Sequence, residues 1–142
     1  MPSDSFSHTT TVSASPDAVY SSLQDPDTWK GIGPIDEVWD ATHDDGRLAS
    51  FRWSARAAGR SWEGGAERID DTHAPSMALL LDSPEVAGRI TIDLAENGDG
   101  TDLTVTLMAR SKGLLAGMFW GVISDALGSG LPAQVDEFGT RF

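Results

Sequence analysis

The sequence contains no cysteine, only 10 lysines and arginines against 22 aspartates and glutamates, and no long hydrophobic run. Without cysteine the chain has no disulfide scaffold, no thiolate nucleophile and no cysteine-ligated zinc or iron–sulfur site. The net charge of −12 repels phosphate backbones and anionic lipid, so we expect no nucleic-acid partner. The longest uncharged apolar segment, residues 113–124, is too short to span a bilayer, so we expect no stable membrane insertion.

The residues that are present are typical of one globular domain, which we expect to cover residues 1–142. Hydrophobic residues make up 39% and charged residues 23%, which are ordinary values for a soluble protein. The first six residues contain neither the basic nor the apolar part of a signal peptide, so the predicted location is the cytoplasm. The excess of Asp over Glu and of Arg over Lys fits either adaptation to high salt or GC-rich codon usage.

Alternation of apolar and polar residues predicts seven strands, at residues 6–13, 35–42, 48–57, 61–69, 77–81, 86–95 and 103–109. Two short helices are predicted after the first strand. In Ser15-Pro16-Asp17 and Asp25-Pro26-Asp27, a capping side chain precedes a proline at the first helical position. Turn signals such as Asn97-Gly98 separate the later strands and predict hairpins, hence an antiparallel meander.

A helical period returns at the end of the sequence and predicts one long helix, roughly residues 112–142. Its apolar stripe is the only element long enough to cover the apolar face of the sheet. Gly128, Gly130 and Pro132 interrupt the pattern and predict a kink or break. We interpret the glycines at positions 113, 117 and 121 as room for close packing or for a ligand.

The order of these elements resembles the START-like or Bet v 1-like superfamily (SRPBCC, helix-grip), and within it the polyketide cyclase/dehydrase and lipid-transport group. The resemblance covers nearly the whole chain and rests on residues 14–20, residues 25–29, Pro34-Ile35 and Trp62-Glu63-Gly64. It implies an α+β helix-grip fold, in which a curved seven-stranded antiparallel sheet wraps around a long C-terminal helix, with two short helices between strands 1 and 2. It also implies an apolar cavity between sheet and helix. The superfamily includes carriers, cyclases and protein-binding domains, so the fold does not fix the function.

We predict that the chain binds an apolar, lipid-like or aromatic small molecule in this cavity, as a carrier or sensor, without a cofactor and as a monomer or homodimer. Aromatic and thioether side chains suit such a ligand, and apart from Arg68 the strand faces predicted to point inward carry no ionisable residue. Arg68 or Ser124 would orient a polar end of the ligand. The predicted lining consists of Trp39, Phe51, Trp53, Trp62, Met77, Leu79, Ile90, Ile92, Met118, Phe119 and Val122.

The alternative is a cyclase/dehydratase-type enzyme that uses the same cavity. Proton transfer needs a positioned donor or acceptor, and His8 and Arg68 are the weak catalytic candidates. A one-residue error in register would instead turn charged residues of the strands inward. A third hypothesis, an interaction module, takes first place if the apolar face closes completely around the helix.

Other catalytic and metal-binding signals are lacking in the sequence. It has no Gly-x-Ser-x-Gly elbow and no phosphate-binding glycine loop at a strand–helix junction. His43 and His73 lie beside acidic residues in predicted turns, but no histidine has a partner at the spacing that metal ligands take on a helix. We therefore predict no metal site.

Overall fold

A computed structural model describes residues 3–32, 35–57, 59–69, 76–113 and 117–142. Seven strands form one antiparallel sheet in the order β1-β7-β6-β5-β4-β3-β2, which confirms the predicted meander and helix-grip fold. The strands are β1 (Ser3–Val12), β2 (Ile35–Asp44), β3 (Arg47–Ala57), β4 (Arg60–Ile69), β5 (Met77–Asp82), β6 (Val86–Asn97) and β7 (Gly100–Ser111). The helices are α1 (Pro16–Ser22), a 3₁₀ helix (Pro26–Trp29) and α2 (Trp120–Gly139).

The two short helices begin where the sequence predicts. The Ser15 hydroxyl accepts a hydrogen bond from the Ala18 backbone N–H at 3.2 Å, which caps α1. The second helix is a 3₁₀ helix, and its cap Asp25 accepts from the Asp27 N–H at 3.0 Å. The buried side chains of these two helices belong to the same core as those of the strands.

The hairpin turns occur at residues that tolerate a left-handed backbone conformation. Asp45 and Gly46 connect β2 to β3 with φ values of 55° and 76°, as a type I′ hairpin requires. Gly98, between β6 and β7, has a φ of 60°. The expected loop at residues 70–75, which includes His73, lies outside the described residues.

The central strands present one face to the core and the other to solvent, whereas Ile35 is the one buried residue of β2. The inner face carries buried apolar residues on alternate positions, for example Phe51, Trp53 and Ala55 on β3. The exposed positions between them include Arg52 and Arg56, so the predicted register of the central strands is correct. Residues that are paired across antiparallel strands point to the same face of the sheet. The alternation of buried and exposed residues therefore continues from one strand to the next.

Helix α2 covers the inner face and packs most extensively on β1. A Cβ at Gly128 would lie 2.5 Å from the ring of Phe6, so a glycine permits this close approach. Of the kink or break predicted at Gly128–Pro132, the break does not occur: α2 continues through Pro132. Pro132 cannot donate to the Gly128 carbonyl, but Leu127 and Leu131 are both buried in the core. Packing on both sides therefore keeps the helix continuous.

Neither α1 nor α2 is long and apolar enough to cross a membrane, in a search limited to the described residues.

Candidate functional site

A small void lies between the inner face of the sheet and the first half of α2. Its volume is about 20 Å³, and its wall is almost entirely apolar. No ionisable side chain lines it. The lining residues are Trp53, Trp62, Leu81, Val86, Ala87, Gly88, Leu107, Ala109 and Leu127. A cavity of this size accommodates about one water molecule, so the core around α2 is nearly closed.

Two of the residues in the predicted lining, Trp53 and Trp62, border this void. Five others are buried on the inner face away from it and pack as core: Phe51, Met77, Leu79, Ile90 and Ile92. Phe51, for instance, lies with its ring centroid 6.3 Å from that of Trp29.

Trp39 lies on the outer face of the sheet. Its register partner is Arg52, whose side chain is exposed. The inner position beside it is taken by Val38, which is paired with Trp53. Register shifts flank Trp39 on both sides, at Ile35/Glu37 and at Trp39/Thr42, and a bulge of this kind changes which residues face inward.

The predicted contacts at the start of α2 are exposed. Met118 retains 66% of its accessible surface, Val122 60% and Phe119 40%. The helix instead turns Trp120, Ile123 and Leu127 inward. The sequence places both sets on an apolar stripe, because the segment is apolar on more than one side.

The indole N–H of Trp53 has no hydrogen-bond partner, and it is the one buried side-chain polar atom of this kind among the described residues. Trp53 is 2% exposed. Leaving such a donor unpaired in the interior costs about 1–3 kcal/mol. The site therefore combines an apolar wall with one unpaired donor.

A carboxylate that the sequence analysis missed ties α2 to β1 next to the void. Asp4 accepts hydrogen bonds from Ser124 Oγ at 2.6 Å and from Trp120 Nε1 at 2.9 Å. These two bonds, chiefly the one from Ser124, hold the pKa of Asp4 below its usual value. The hydroxyl of Ser124, predicted to orient a ligand, is thus engaged by Asp4. The signal that could have identified Asp4 is the alternation of β1, because Asp4 lies two residues before Phe6 and therefore on the same face of the strand as Phe6 and His8.

The two catalytic candidates do not line the void. His8 faces α2 and donates from Nε2 to Asp136 at 2.9 Å, a bond that lowers the pKa of Asp136. The Arg68 guanidinium donates to the Leu48 carbonyl at 3.0 Å and lies 3.9 Å from an Asp44 carboxylate oxygen. The void therefore receives a proton donor or acceptor from neither His8 nor Arg68.

A much larger concavity, of about 1310 Å³, is lined mainly by residues of the outer face of the sheet. The strands place Arg52, Arg89 and Arg110 on it together with Glu67 and Asp82. These charges of both signs interrupt its apolar positions, so this surface does not match the predicted apolar ligand.

His43 donates from Nε2 to the Gln24 carbonyl at 2.8 Å and so has a structural contact. Across the described ranges, no three side chains of the metal-ligating types come together closely enough to hold a metal ion.

Comparison with known proteins finds the same architecture, an antiparallel sheet packed on a C-terminal helix. The family model described as "Polyketide cyclase / dehydrase and lipid transport" matches residues 3–142. The chain therefore belongs to that family. A search of curated proteins finds no match.

Solved structures share the fold at low sequence identity. A protein of Thermus thermophilus is 16% identical with a TM-score of 0.74, covering 97% of this chain and 96% of that chain. The Zhui aromatase/cyclase from Streptomyces sp. R1128 is 19% identical with a TM-score of 0.69, covering 99% and 96%. A START superfamily protein from Mycobacterium smegmatis is 20% identical with a TM-score of 0.65, covering 94% and 97%. At these identities the likeness shows the fold alone.

Proposed function

We propose that the chain binds an apolar small molecule between the inner face of the sheet and α2, as a carrier or sensor. The observation that carries this proposal is the void itself, because its lining is apolar, contains no ionisable side chain and includes Trp53 and Trp62. Membership of a family whose description includes lipid transport supports the same role. Binding would gain free energy from burial of apolar area, at about 25 cal/mol per Å².

A ligand larger than water requires the wall to move, and α2 is the part of the wall that is not held by strand pairing. Leu127 is its lining residue, and Trp120 and Ile123 are the buried contacts preceding it. Displacing this half of α2 enlarges the void without breaking the hydrogen bonds of the sheet. Met118, just before α2, and Val122, in its first turn, are already exposed, and on such a shift they become able to cover the ligand.

The test is a titration followed by intrinsic tryptophan fluorescence, with a panel of fatty acids, flavonoids and polycyclic aromatics. We expect a saturable change with at least one member. Ala109→Leu places a larger side chain into the void and should abolish the response in a protein that remains folded. Ala95→Leu makes the same change at an exposed position of β6, so it should respond as the unmodified protein does.

Two results would contradict the carrier or sensor role. One is the absence of a saturable response from the whole panel. The other is an equal response in Ala109→Leu and Ala95→Leu, which would place binding elsewhere. Either result would favour the interaction role for this nearly closed interior, with the exposed Met118 and Val122 as the surface to test.

The cytoplasmic location and the monomeric or homodimeric state are part of this proposal. Light scattering across a concentration series distinguishes the two states, and a larger assembly would contradict both.

A further inference from the structure

We propose that the molecule bound at the void is a neutral compound carrying a carbonyl or ether oxygen, and that this oxygen accepts a hydrogen bond from Trp53 Nε1. The inference rests on the proposed function and specifies the ligand class for that same site.

The first argument compares Trp53 with two other tryptophans of this chain. Trp29 Nε1 donates to the Leu23 carbonyl at 2.9 Å, and Trp120 Nε1 donates to Asp4 at the same distance. Trp53 is as buried as these residues but its N–H has no partner. Since buried donors in native proteins are nearly always paired, an unpaired one on a residue that lines a void points to a group supplied by a ligand.

The second argument is that the indole of Trp53 is fixed in place. Gly64 is its register partner on β4, and a Cβ there would lie 2.7 Å from Trp53 Cζ2. The same Cβ would collide with the carbonyl oxygen of Asp82. The indole ring therefore packs directly against the backbone at Gly64. This contact holds its N–H in position before any ligand binds. A donor that is already ordered loses little conformational entropy on binding.

The third argument concerns the charge of the ligand. The nine lining residues carry no cation, and one indole N–H is too little to replace the hydration of a carboxylate. A lone water is also held poorly here, because the almost entirely apolar wall does not offer the two to four polar partners that buried water takes. A neutral oxygen attached to an apolar body satisfies both the donor and the wall.

The experiment uses the matched probes 1-indanone and indane, which share a ring skeleton and differ in one carbonyl group. The dissociation constants of both are measured for the unmodified protein and for Trp53→Phe. Because water solvates the ketone better, the informative quantity is the ratio of the two constants. Removing the N–H should shift this ratio against the ketone by about tenfold. Trp62→Phe removes an indole from the same wall and should leave the ratio unchanged.

A second measurement keeps the test decisive if Trp53→Phe fails to fold. In the unmodified protein labelled with ¹⁵N, the Trp53 indole N–H resonance should move downfield on saturation with 1-indanone and not with indane. Binding of both probes with no such shift, or with the same ratio in Trp53→Phe, would overturn this inference and leave the proposed function standing. Failure of both probes to bind to a protein that does respond to a member of the fluorescence panel would overturn this inference alone, whereas failure of the probes and of the whole panel would overturn the proposed function as well.

Discussion

The contact between Gly64 and Trp53 predicts opposite outcomes for the same substitution at two positions. In Gly64→Ala the new methyl group meets the Trp53 ring at 2.7 Å and the Asp82 carbonyl oxygen. Asp82 is paired with its neighbours on both sides of β5, so the backbone cannot yield cheaply. Gly121 lies inside α2, and a Cβ there would meet nothing within 4 Å.

The expected magnitudes follow from these surroundings. Overpacking costs about 1–3 kcal/mol, and replacing glycine by alanine returns about 0.5–1 kcal/mol of conformational entropy. Gly64→Ala should therefore lower the free energy of unfolding by up to about 2.5 kcal/mol, which is up to roughly 10 °C in Tm for a domain of this size. Gly121→Ala should raise it by up to about 1 kcal/mol, because alanine is the better helix former.

Urea unfolding followed by far-ultraviolet circular dichroism measures both changes. The fluorescence of the native state gives an independent readout, because displacement of Trp53 changes the environment of its indole. A Gly64→Ala variant at least as stable as the unmodified protein would refute the contact on which this reasoning depends. The Gly121→Ala variant controls for the general effect of alanine on the unfolded chain.

Two further predictions concern α2. Because the pKa of Asp4 is lowered in the folded state, its contribution to stability is full above the unfolded pKa and is lost as pH falls through the folded value. The difference in unfolding free energy between the unmodified protein and Asp4→Asn should thus be largest at pH 7 and should shrink at about pH 3, and an equal difference at both would contradict this. Truncation before Gly113 removes α2, whose buried apolar side chains each contribute about 1.5–3 kcal/mol, so it should abolish the cooperative thermal transition seen by calorimetry.

Local patterns in the sequence predicted the strands, the helices and the antiparallel meander, while the family resemblance supplied the helix-grip arrangement. Strand alternation, the Ser-Pro-Asp and Asp-Pro-Asp helix starts and the glycine turns each act within a few residues, and all of them agree with the observed order. Of the kink or break predicted around Pro132, the break does not occur, because the burial of Leu127 and Leu131 outweighs a local preference. The bulges of β2 place Trp39 on the outer face, and a strict two-residue period does not anticipate them.

The site was harder to predict because it depends on packing rather than on pattern. The void stays open because two of its lining residues, Gly88 and Ala109, are small. A small residue in a strand does not by itself predict a void. The phase of α2 decides whether Met118 or Leu127 faces the sheet, and both lie on apolar stretches. The unpaired N–H of Trp53 is a property of its surroundings and has no counterpart in the sequence.

The pairing of β1 with β7 has a consequence for the order in which the chain folds during synthesis. The Ser7 and Thr106 hydroxyls, which lie 3.2 Å apart, belong to strands separated by 99 positions in the sequence. At about 5–20 residues per second, the ribosome needs roughly 5–20 s to make that intervening chain. During this time β1 has no partner strand, and α2, which packs on it, is made later still. The threonine and serine side chains leave β1 with few apolar side chains, which lowers the tendency of the waiting strand to aggregate with another molecule.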